Sequence, residues 1–448
     1  MLSPSESNDR AAALIDLARK AGADAADAIY VGQASTEVQV RLGLLEDVGR
    51  SEGESIGLRV FSGSRSASVS SSDLSPDALA QLAERGLAMA REAPEDPYAG
   101  LAPAELLFQG DPVDVEADDG GDPMPAELKL RALTAEDAAR SVEGVTNSEG
   151  AGASASRSVI ALATSHGFAR AYTASGYGCS ASVIAGSGGG MQRDYAYHSA
   201  RHEIDLDDPA EIGRRAGDRA VRRLDPVKLA SGQMPILFDP RVGASLLGHL
   251  IGAITGSSIA RRTSFLLDAL DTQVFAPGVT IRDDPHRRRG LRSKAFDGEG
   301  LPTAPTTIID KGVLTGWLME SASARQLGLK PTGHASRGVG GAPGVSPTNL
   351  YMEPGDLSPE ALMSDVVQGV YVTELIGQGV NGVTGDYSRG ASGFLIVNGE
   401  IGPAVAEITI AGNLKDMFQS LTPANDLRFR RATDVPTLRV DGMMVAGA

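Results

Sequence analysis

The sequence predicts an α+β fold in two domains, residues 1–230 and residues 231–448. Length is the first observation behind this prediction, because 448 residues exceed what a single hydrophobic core usually serves. The second is a series of short segments in which apolar and polar residues alternate between glycine-bearing turns, as in half-buried antiparallel strands. The third is helical spacing of apolar residues in several longer segments. We expect an N-terminal α/β domain with an antiparallel sheet and a C-terminal mixed domain rich in β-strands.

The first part of the N-terminal domain is predicted to contain a helix, several strands and a second helix. Apolar residues recur at helical spacing over 9–22, and the alternating segments lie between about 24 and 72. Ser75-Pro76 then supplies an N-cap followed by proline at the first helical position, which predicts the start of the second helix. The Pro-, Asp- and Gly-rich stretch 94–125 has no clear periodicity, so we expect it to run over the surface.

The second part of this domain repeats the same pattern. A helix is predicted near 125–142, and small polar and β-branched residues alternate after it. We expect these later strands to join the first sheet. A helix over about 208–224 ends the domain, and the boundary falls near 225–233.

The C-terminal domain is predicted to begin with a buried strand, the turn Asp239-Pro240 and a helix over 241–254. Aspartate at the N-cap and proline after it favour helix initiation at this point. Large apolar residues recur every four positions along this helix, so one side should pack inward. Gly248 and Gly252 should leave room for close approach of another backbone.

Glycine marks turns rather than phosphate loops in this sequence. Asn398-Gly399 stands between two alternating segments, which is the strongest short-range signal for a hairpin. The glycine-rich stretches 186–190 and 338–344 do not match G-x-G-x-x-G, and the sequence has neither a P-loop nor a G-x-S-x-G nucleophile elbow. Loops and hairpin turns account for both stretches.

Charge and composition exclude several classes of function. The net charge of -16 would repel a phosphate backbone, so we expect no nucleic-acid partner. The first residues lack the pattern of a signal peptide, and no window approaches the length of a membrane span, so we expect a cytoplasmic protein without membrane association. The single cysteine, Cys179, offers neither an internal disulfide nor a thiolate zinc cage, and it should be a small buried side chain in a strand.

Histidine spacing gives two weak candidates for a metal site. No HExxH motif occurs. His198 and His202, followed by Glu203, share one face if the segment is a strand, so a metal site is conceivable, although a solvated pair is the favoured interpretation. His249 is alone among apolar residues of the helix, where an imidazole is more often a core or interface residue than a ligand.

A basic cluster occupies residues 286–289, directly after Asp283-Asp284. Local charge balance on a surface loop is the favoured interpretation. Contact with an acidic partner is the alternative.

Two long segments resemble the TldE/PmbA branch of the TldD/TldE peptidase family. They are Gly385 to Phe418, GDYSRGASGFLIVNGEIGPAVAEITIAGNLKDMF, and Leu246 to Leu266, LLGHLIGAITGSSIARRTSFL. The order of elements from residue 9 to the PTLRVDGMMVAG ending agrees as well. The resemblance implies a two-domain TldD/PmbA-like fold and a cytoplasmic, peptidase-related protein.

The resemblance also implies a degenerate metal site. In the zinc-bearing TldD branch, the helix equivalent to 241–254 carries HExxxH, and a cysteine near the C-terminus completes the site. In this sequence the three motif positions hold Gly248, His249 and Ala253, and the stretch 413–448 contains no cysteine. The family's ligands are therefore missing together, so we expect neither catalytic nor metal-binding residues in this chain.

The resemblance implies that this chain is a non-catalytic subunit of a peptidase complex. The resemblance implies a heterodimer with a TldD-type subunit, which would carry the zinc, and substrates that are unfolded or leader peptides cut inside a shared chamber. The chain would form a homodimer when alone. Two alternatives stay open: a stand-alone metallopeptidase with an unconventional site built from His198, His202 or His249, and a homodimeric peptide-binding scaffold.

Overall fold

The N-terminal part of the chain is built on one six-stranded antiparallel sheet. The structure is a computed structural model that describes residues 1–447. The strand order is β3-β2-β1-β4-β5-β6. The elements are α1 (Pro4–Ala21), β1 (Ala25–Arg41), β2 (Leu44–Ser62), β3 (Arg65–Ser71), α2 (Pro76–Glu92), α3 (Pro125–Arg140), β4 (Val145–Thr164), β5 (Ala169–Ala185), β6 (Gln192–Ala200) and α4 (Pro209–Arg222).

The predicted fold class is confirmed, and so is the prediction that the later strands join the first sheet, because β1 pairs with β4 along most of its length. Helix α1 begins earlier than predicted. Ser3 accepts a hydrogen bond from the backbone of Glu6, and the Glu6 carboxylate accepts one from the Ser3 backbone N–H at 2.9 Å, which is a capping box.

Two apolar clusters join the helices to one face of the sheet. Helices α1 and α2 cover one half through residues such as Leu14 and Leu82, and α3 and α4 cover the other through Leu128 and Ile212. The opposite face carries Ile29, which packs in a separate cluster with residues of the C-terminal part. The sheet is therefore buried on both sides where the two parts meet.

About half of the residues in segment 94–124 are exposed, and its few buried residues contact both parts of the chain. Leu107 is 8% exposed and packs in the same cluster as Phe296. The backbone carbonyl of Val115 accepts a hydrogen bond from the backbone N–H of Arg289 at 2.8 Å. The segment therefore runs partly over the surface, as predicted, while its scattered apolar residues form contacts across the junction.

The C-terminal part contains two larger sheets and a short ribbon, and its elements are β7 (Gly232–Phe238), α5 (Pro240–Ile254), α6 (Gly256–Ala260), β8 (Ile281–Asp283), β9 (Thr306–Asp310), β10 (Val313–Leu314), α7 (Ser321–Leu327), β11 (Ala335–Ser336), β12 (Gly344–Val345), β13 (Leu350–Met352), α8 (Pro359–Met363), β14 (Gln368–Ile376), β15 (Asp386–Val397), β16 (Glu400–Asn413), α9 (Leu414–Gln419), β17 (Leu421–Pro423), β18 (Thr433–Asp434) and β19 (Leu438–Ala446). The sheets have the orders β16-β15-β14-β7-β19-β17 and β10-β9-β8-β13-β18, and β11 pairs with β12. Strand β7 pairs in parallel with β14 and antiparallel with β19, so the main sheet is mixed.

The main sheet and α5 share the largest apolar core of the molecule. Leu246, Leu250 and Ile254 of α5 are fully buried, as the four-residue repeat predicts. The hairpin between β15 and β16 is confirmed, with φ values of 48° at Asn398 and 84° at Gly399. Among residues 1–447, no helix is long and apolar enough to cross a membrane.

Candidate functional site

Helix α5 carries the three positions that the sequence marks as a degenerate metal site. Its start is fixed by Asp239, whose carboxylate accepts a hydrogen bond from the backbone N–H of Arg241 at 2.9 Å. The apolar side of the helix packs against the main sheet, so the register of the helix decides which of its remaining side chains face outward. Position 248 is exposed, whereas position 253 is 5% exposed.

Gly248 and Ala253 supply no donor atom to this site. A Cβ atom added at Gly248 or at Gly252 would meet nothing within 4 Å. The expected close approach of a second backbone is therefore absent from the part of the chain that the structure describes. This side of α5 is open instead, so another molecule can reach its backbone.

His249 is half-buried and lies against a strand of the main sheet. Its ring packs edge-on against Tyr387 of β15, with 6.0 Å between the ring centroids. Burial, and then the nearby positive charge of Arg389, lower the pKa of the imidazole. His249 is therefore neutral at physiological pH.

Three buried polar atoms in this region have no hydrogen-bond partner in the described structure: Nε2 of His249, the hydroxyl of Tyr387 and Nε of Arg389. Tyr387 is 1% exposed, and burial raises its pKa to about 12, so its hydroxyl keeps its proton. Buried polar groups are normally paired, so this cluster has unused capacity for hydrogen bonds. It could bind a water molecule or a polar group of a ligand.

The residues present do not fit zinc. A catalytic zinc site needs three nitrogen, sulfur or carboxylate ligands, and position 249 supplies one imidazole between a glycine and an alanine. Within residues 1–447, no group of three or more His, Cys, Asp or Glu side chains is arranged to hold a metal ion.

His198 and His202 are each engaged by a different backbone group. The Nδ1 atom of His198, at the end of β6, accepts a hydrogen bond from the backbone N–H of Asp207 at 3.0 Å. The Nε2 atom of His202 lies 2.9 Å from the carbonyl oxygen of Glu116, to which it donates. Glu203 pairs with Arg131 at 2.6 Å. Both imidazoles are half-buried, so the interpretation as a solvated pair is wrong. The Asp207 carboxylate lies 3.4 Å from Nδ1 of His198, but the described residues hold no third ligand group there.

The basic cluster 286–289 is neutralised, but not by its neighbours in sequence. Arg288 and Arg289 both pair with Glu116, which belongs to the N-terminal part of the chain. Arg287 lies 3.7 Å from Asp434. The prediction of charge balance is correct in kind, although the partners are distant in sequence.

Cys179 is buried in β5, as predicted, and burial raises the pKa of its thiol to about 11.

Sequence reasoning missed a second feature, an arginine-lined cleft between the two parts of the chain. We call it the arginine cleft and define it by Arg215, Arg219, Arg241, Arg428, Arg430 and Arg431. Its volume is about 330 Å³, and it lies between β6, α4, the start of α5 and the segment before β18. The arginine-rich runs RRAGDR and RFRR are unusual in a chain with a net charge of -16, and they are the sequence feature that could have indicated this cleft.

Comparison with known proteins places the chain in a metallopeptidase-related family. The chain matches PmbA/TldA metallopeptidase domain 1 over residues 26–90, the central domain over 119–224 and the C-terminal domain over 231–447. The chain belongs to the PmbA/TldD family of metallopeptidase-related proteins, as its motifs predict.

Its relatives carry PmbA and TldE names. The chain is 39% identical to the metalloprotease PmbA of Escherichia coli O157:H7, over 95% of this chain and 92% of that protein. It is 37% identical to a PmbA homologue of Haemophilus influenzae, over 97% of this chain and 94% of that protein.

Solved structures share the fold along the whole chain. A candidate modulator of DNA gyrase from Bacteroides thetaiotaomicron is 27% identical, with a TM-score of 0.91 and full coverage of both chains at 100%. TldE from Thermococcus kodakarensis, at 20% identity, matches with a TM-score of 0.87 over 98% of this chain and 100% of that one, which shows the fold alone.

Proposed function

We propose that this chain is a metal-free, TldE/PmbA-like subunit of a TldD/TldE-type metallopeptidase. In this role it pairs with a zinc-bearing TldD-type subunit in the cytoplasm and helps to enclose and bind unfolded or leader peptides for proteolysis. The observation that carries the proposal is the chemistry of α5: Gly248, His249 and Ala253 together offer one nitrogen donor where a catalytic zinc needs three protein ligands.

The same helix supports a binding role. Its exposed side carries glycines with open space beside them, so a peptide or a partner subunit can approach the backbone closely. Beside it, His249, Tyr387 and Arg389 hold buried polar atoms without partners. Such atoms favour a ligand that brings hydrogen-bonding groups, and the main chain of an extended peptide does so without regard to sequence.

Purified subunits test this proposal. The chain and a TldD-type subunit from the same organism are produced separately and together, and the zinc content and cleavage of an unfolded peptide are measured for each preparation. We expect the chain alone to carry less than about one-tenth of an equivalent of zinc and to cut nothing, and the pair to cut the peptide. A pair in which the partner's motif glutamate is replaced by glutamine serves as the inactive control.

The alternatives give different results in the same experiment. A stand-alone metallopeptidase would carry about one zinc per chain, and replacing His198, His202 or His249 by alanine would remove both zinc and activity. A homodimeric scaffold would bind peptide and stay a dimer of identical chains in the presence of the TldD-type subunit. Either result would contradict the proposal.

A further inference from the structure

The arginine cleft concentrates positive charge in a chain that is acidic overall. Three carboxylates line it, and each is already engaged by groups of its own domain. Asp239 caps α5, and Asp426 accepts hydrogen bonds from the backbone and hydroxyl of Thr437, both at 2.8 Å. Asp434 accepts from two backbone N–H groups and faces Arg287 at 3.7 Å. Asp239 also lies 3.7 Å from Arg241, so these carboxylates neutralise the arginines of the cleft only in part.

Half of the arginines in the cleft have no carboxylate partner. Arg241 pairs with Asp194 at 2.8 Å, and Arg215 and Arg430 share Asp207. In the part of the chain that the structure describes, no carboxylate oxygen lies within 4.0 Å of the three others, which are Arg219, Arg428 and Arg431. Burial, and then the neighbouring charge of Arg241, lower the pKa of Arg219, and these effects outweigh the opposite effect of Asp239 and Asp194.

The walls of the cleft suit an extended chain better than a small ion. Strand β6 is the last strand of its sheet, so it leaves one backbone edge unpaired in that sheet, and this strand lines the cleft. Its Tyr195 and Tyr197 rings are stacked, with 6.2 Å between centroids, and each is 42% exposed. Arg431 donates to the Tyr197 hydroxyl at 2.9 Å.

The cleft also continues toward the site on α5. Tyr195 and Arg241 line both the arginine cleft and an adjoining pocket of about 360 Å³ that contains Thr373 and Arg389. Thr373 is 6% exposed, and its buried hydroxyl has no hydrogen-bond partner in the structure. Arg389 lies near His249. The arginine cleft and this second pocket therefore adjoin at Tyr195 and Arg241.

We propose that the arginine cleft binds an extended peptide through the carboxylates of the peptide, with Asp or Glu side chains, or a C-terminal carboxylate, on Arg219, Arg428 and Arg431. Hydrogen bonds from guanidinium to carboxylate are among the strongest polar contacts. Arg219 already donates to the backbone carbonyl of Tyr195 at 3.1 Å, and Arg431 donates to the hydroxyl of Tyr197 and to the carbonyl of Pro240, so these two offer only their remaining N–H groups to a ligand. The inference rests on the proposed peptide-binding role and adds a substrate class to it: peptides with a cluster of acidic residues.

Binding to the isolated, full-length chain tests the inference without the partner subunit. The probe is a fluorescein-labelled unstructured peptide rich in glutamate, and its control is the same peptide with glutamine in place of glutamate. We expect the glutamate peptide to bind at least about tenfold more tightly in fluorescence anisotropy titrations, because charged hydrogen bonds are lost in the control.

Substitutions then locate the site. Arg428 is exposed and holds no side-chain partner, so Arg428→Glu should fold normally and should weaken binding of the glutamate peptide about tenfold or more. Arg214→Glu is the matched control, because Arg214 is an exposed arginine on the same helix as Arg219 but outside the cleft. It should change binding less than about twofold. Arg219→Gln should weaken binding as Arg428→Glu does.

Each contrary outcome is distinct. Equal binding of both peptides, or equal effects of Arg428→Glu and Arg214→Glu, would overturn the acidic-peptide site while leaving a peptidase pair intact. Displacement of the peptide by inorganic phosphate, at a concentration equal to that of the peptide carboxylates, is a further contrary outcome. That result would show that the cleft binds small anions, and it would overturn the acidic-peptide site. Selective binding of the glutamate peptide by a chain that supports no cleavage with its partner would retain the site and remove the proposed function.

Discussion

The Nε2 atom of His249 is buried and has no hydrogen-bond partner in the described structure. Its position in the motif was available from the sequence, because the motif is local to one helix. Its surroundings were not, because Tyr387 and Arg389 come from a strand far along the chain and meet α5 only through the packing of the main sheet. Sequence reasoning could thus place the degenerate site, but it could not find the cluster of unpartnered atoms around it.

The lowered pKa of His249 makes a prediction about stability and pH. At position 249 the folded chain binds fewer protons than the unfolded chain, in which histidine has a pKa of about 6.5. The free energy of unfolding should therefore decrease as the pH falls through that value. We expect His249→Phe, which keeps an aromatic ring beside Tyr387, to lose less stability than the wild type between about pH 7.5 and pH 5.5. Urea unfolding at a series of pH values measures this difference.

Tyr387→Phe is the control for that series. Burial raises the pKa of Tyr387 to about 12, so its hydroxyl does not titrate in this range and the variant should follow the wild-type pH profile. Parallel profiles for His249→Phe and the wild type would show that the imidazole is not shielded from water in the folded chain.

Glycine allows close helix packing in α4 but has open space beside it in α5, so the same Gly→Ala substitution should change stability in opposite directions. Within α4, a Cβ atom at Gly213 would lie 2.0 Å from the backbone carbonyl oxygen of Ala135 in α3, so the two helices touch through their backbones. Within α5, Gly248 has open space beside it. We expect Gly213→Ala to destabilise the chain by about 3 kcal/mol, since the backbones must separate. We expect Gly248→Ala to stabilise it by about 0.5–1 kcal/mol, since alanine has the higher helix propensity.

Chemical denaturation of the two variants checks both signs, because the substitution is the same in each. A loss of stability in Gly248→Ala would mean that this side of α5 is covered in the isolated chain. A neutral Gly213→Ala would mean that α3 and α4 are further apart than the structure has them.

Elements with local causes were predicted well, and those with distant causes were not. The hairpin at Asn398-Gly399 and the helix after Asp239-Pro240 depend on turn and capping residues that can be read directly. The start of α1 was missed although Ser3 and Glu6 form a capping box, because the apolar periodicity begins later than the helix does. The role of segment 94–124 depends on packing between the two parts, which leaves no periodic signal.

At the scale of the whole molecule, a buried ion cluster joins the two parts. Asp27 of β1 is 2% exposed and accepts a hydrogen bond from Nε of Arg59 in β2 at 3.0 Å. Arg337, which follows β11 in the C-terminal part, pairs with the same carboxylate. Burial opposes the charge on Asp27, but Arg337 and Arg59 outweigh it and hold the pKa of the carboxyl below its usual value. Pairing of β1 with β2 places Asp27 opposite Arg59, and only the packing of the two parts adds Arg337, so sequence reasoning could not find the cluster.

If the charge at Asp27 is removed, the N-terminal and C-terminal parts should therefore unfold in separate transitions. Asp27→Asn leaves two buried guanidinium groups with only the Glu299 carboxylate nearby, 3.9 Å from Arg59, and we expect a loss of about 3–5 kcal/mol. The single tryptophan, Trp317, is buried in the C-terminal part, so its fluorescence follows that part alone, whereas far-ultraviolet circular dichroism follows both. We expect the two urea transitions to coincide in the wild type and to diverge in Asp27→Asn. Glu95→Gln, which removes an exposed pair with Arg65 inside the N-terminal part, should leave them together, and coincident transitions in Asp27→Asn would show that other contacts across the junction suffice to couple the two parts.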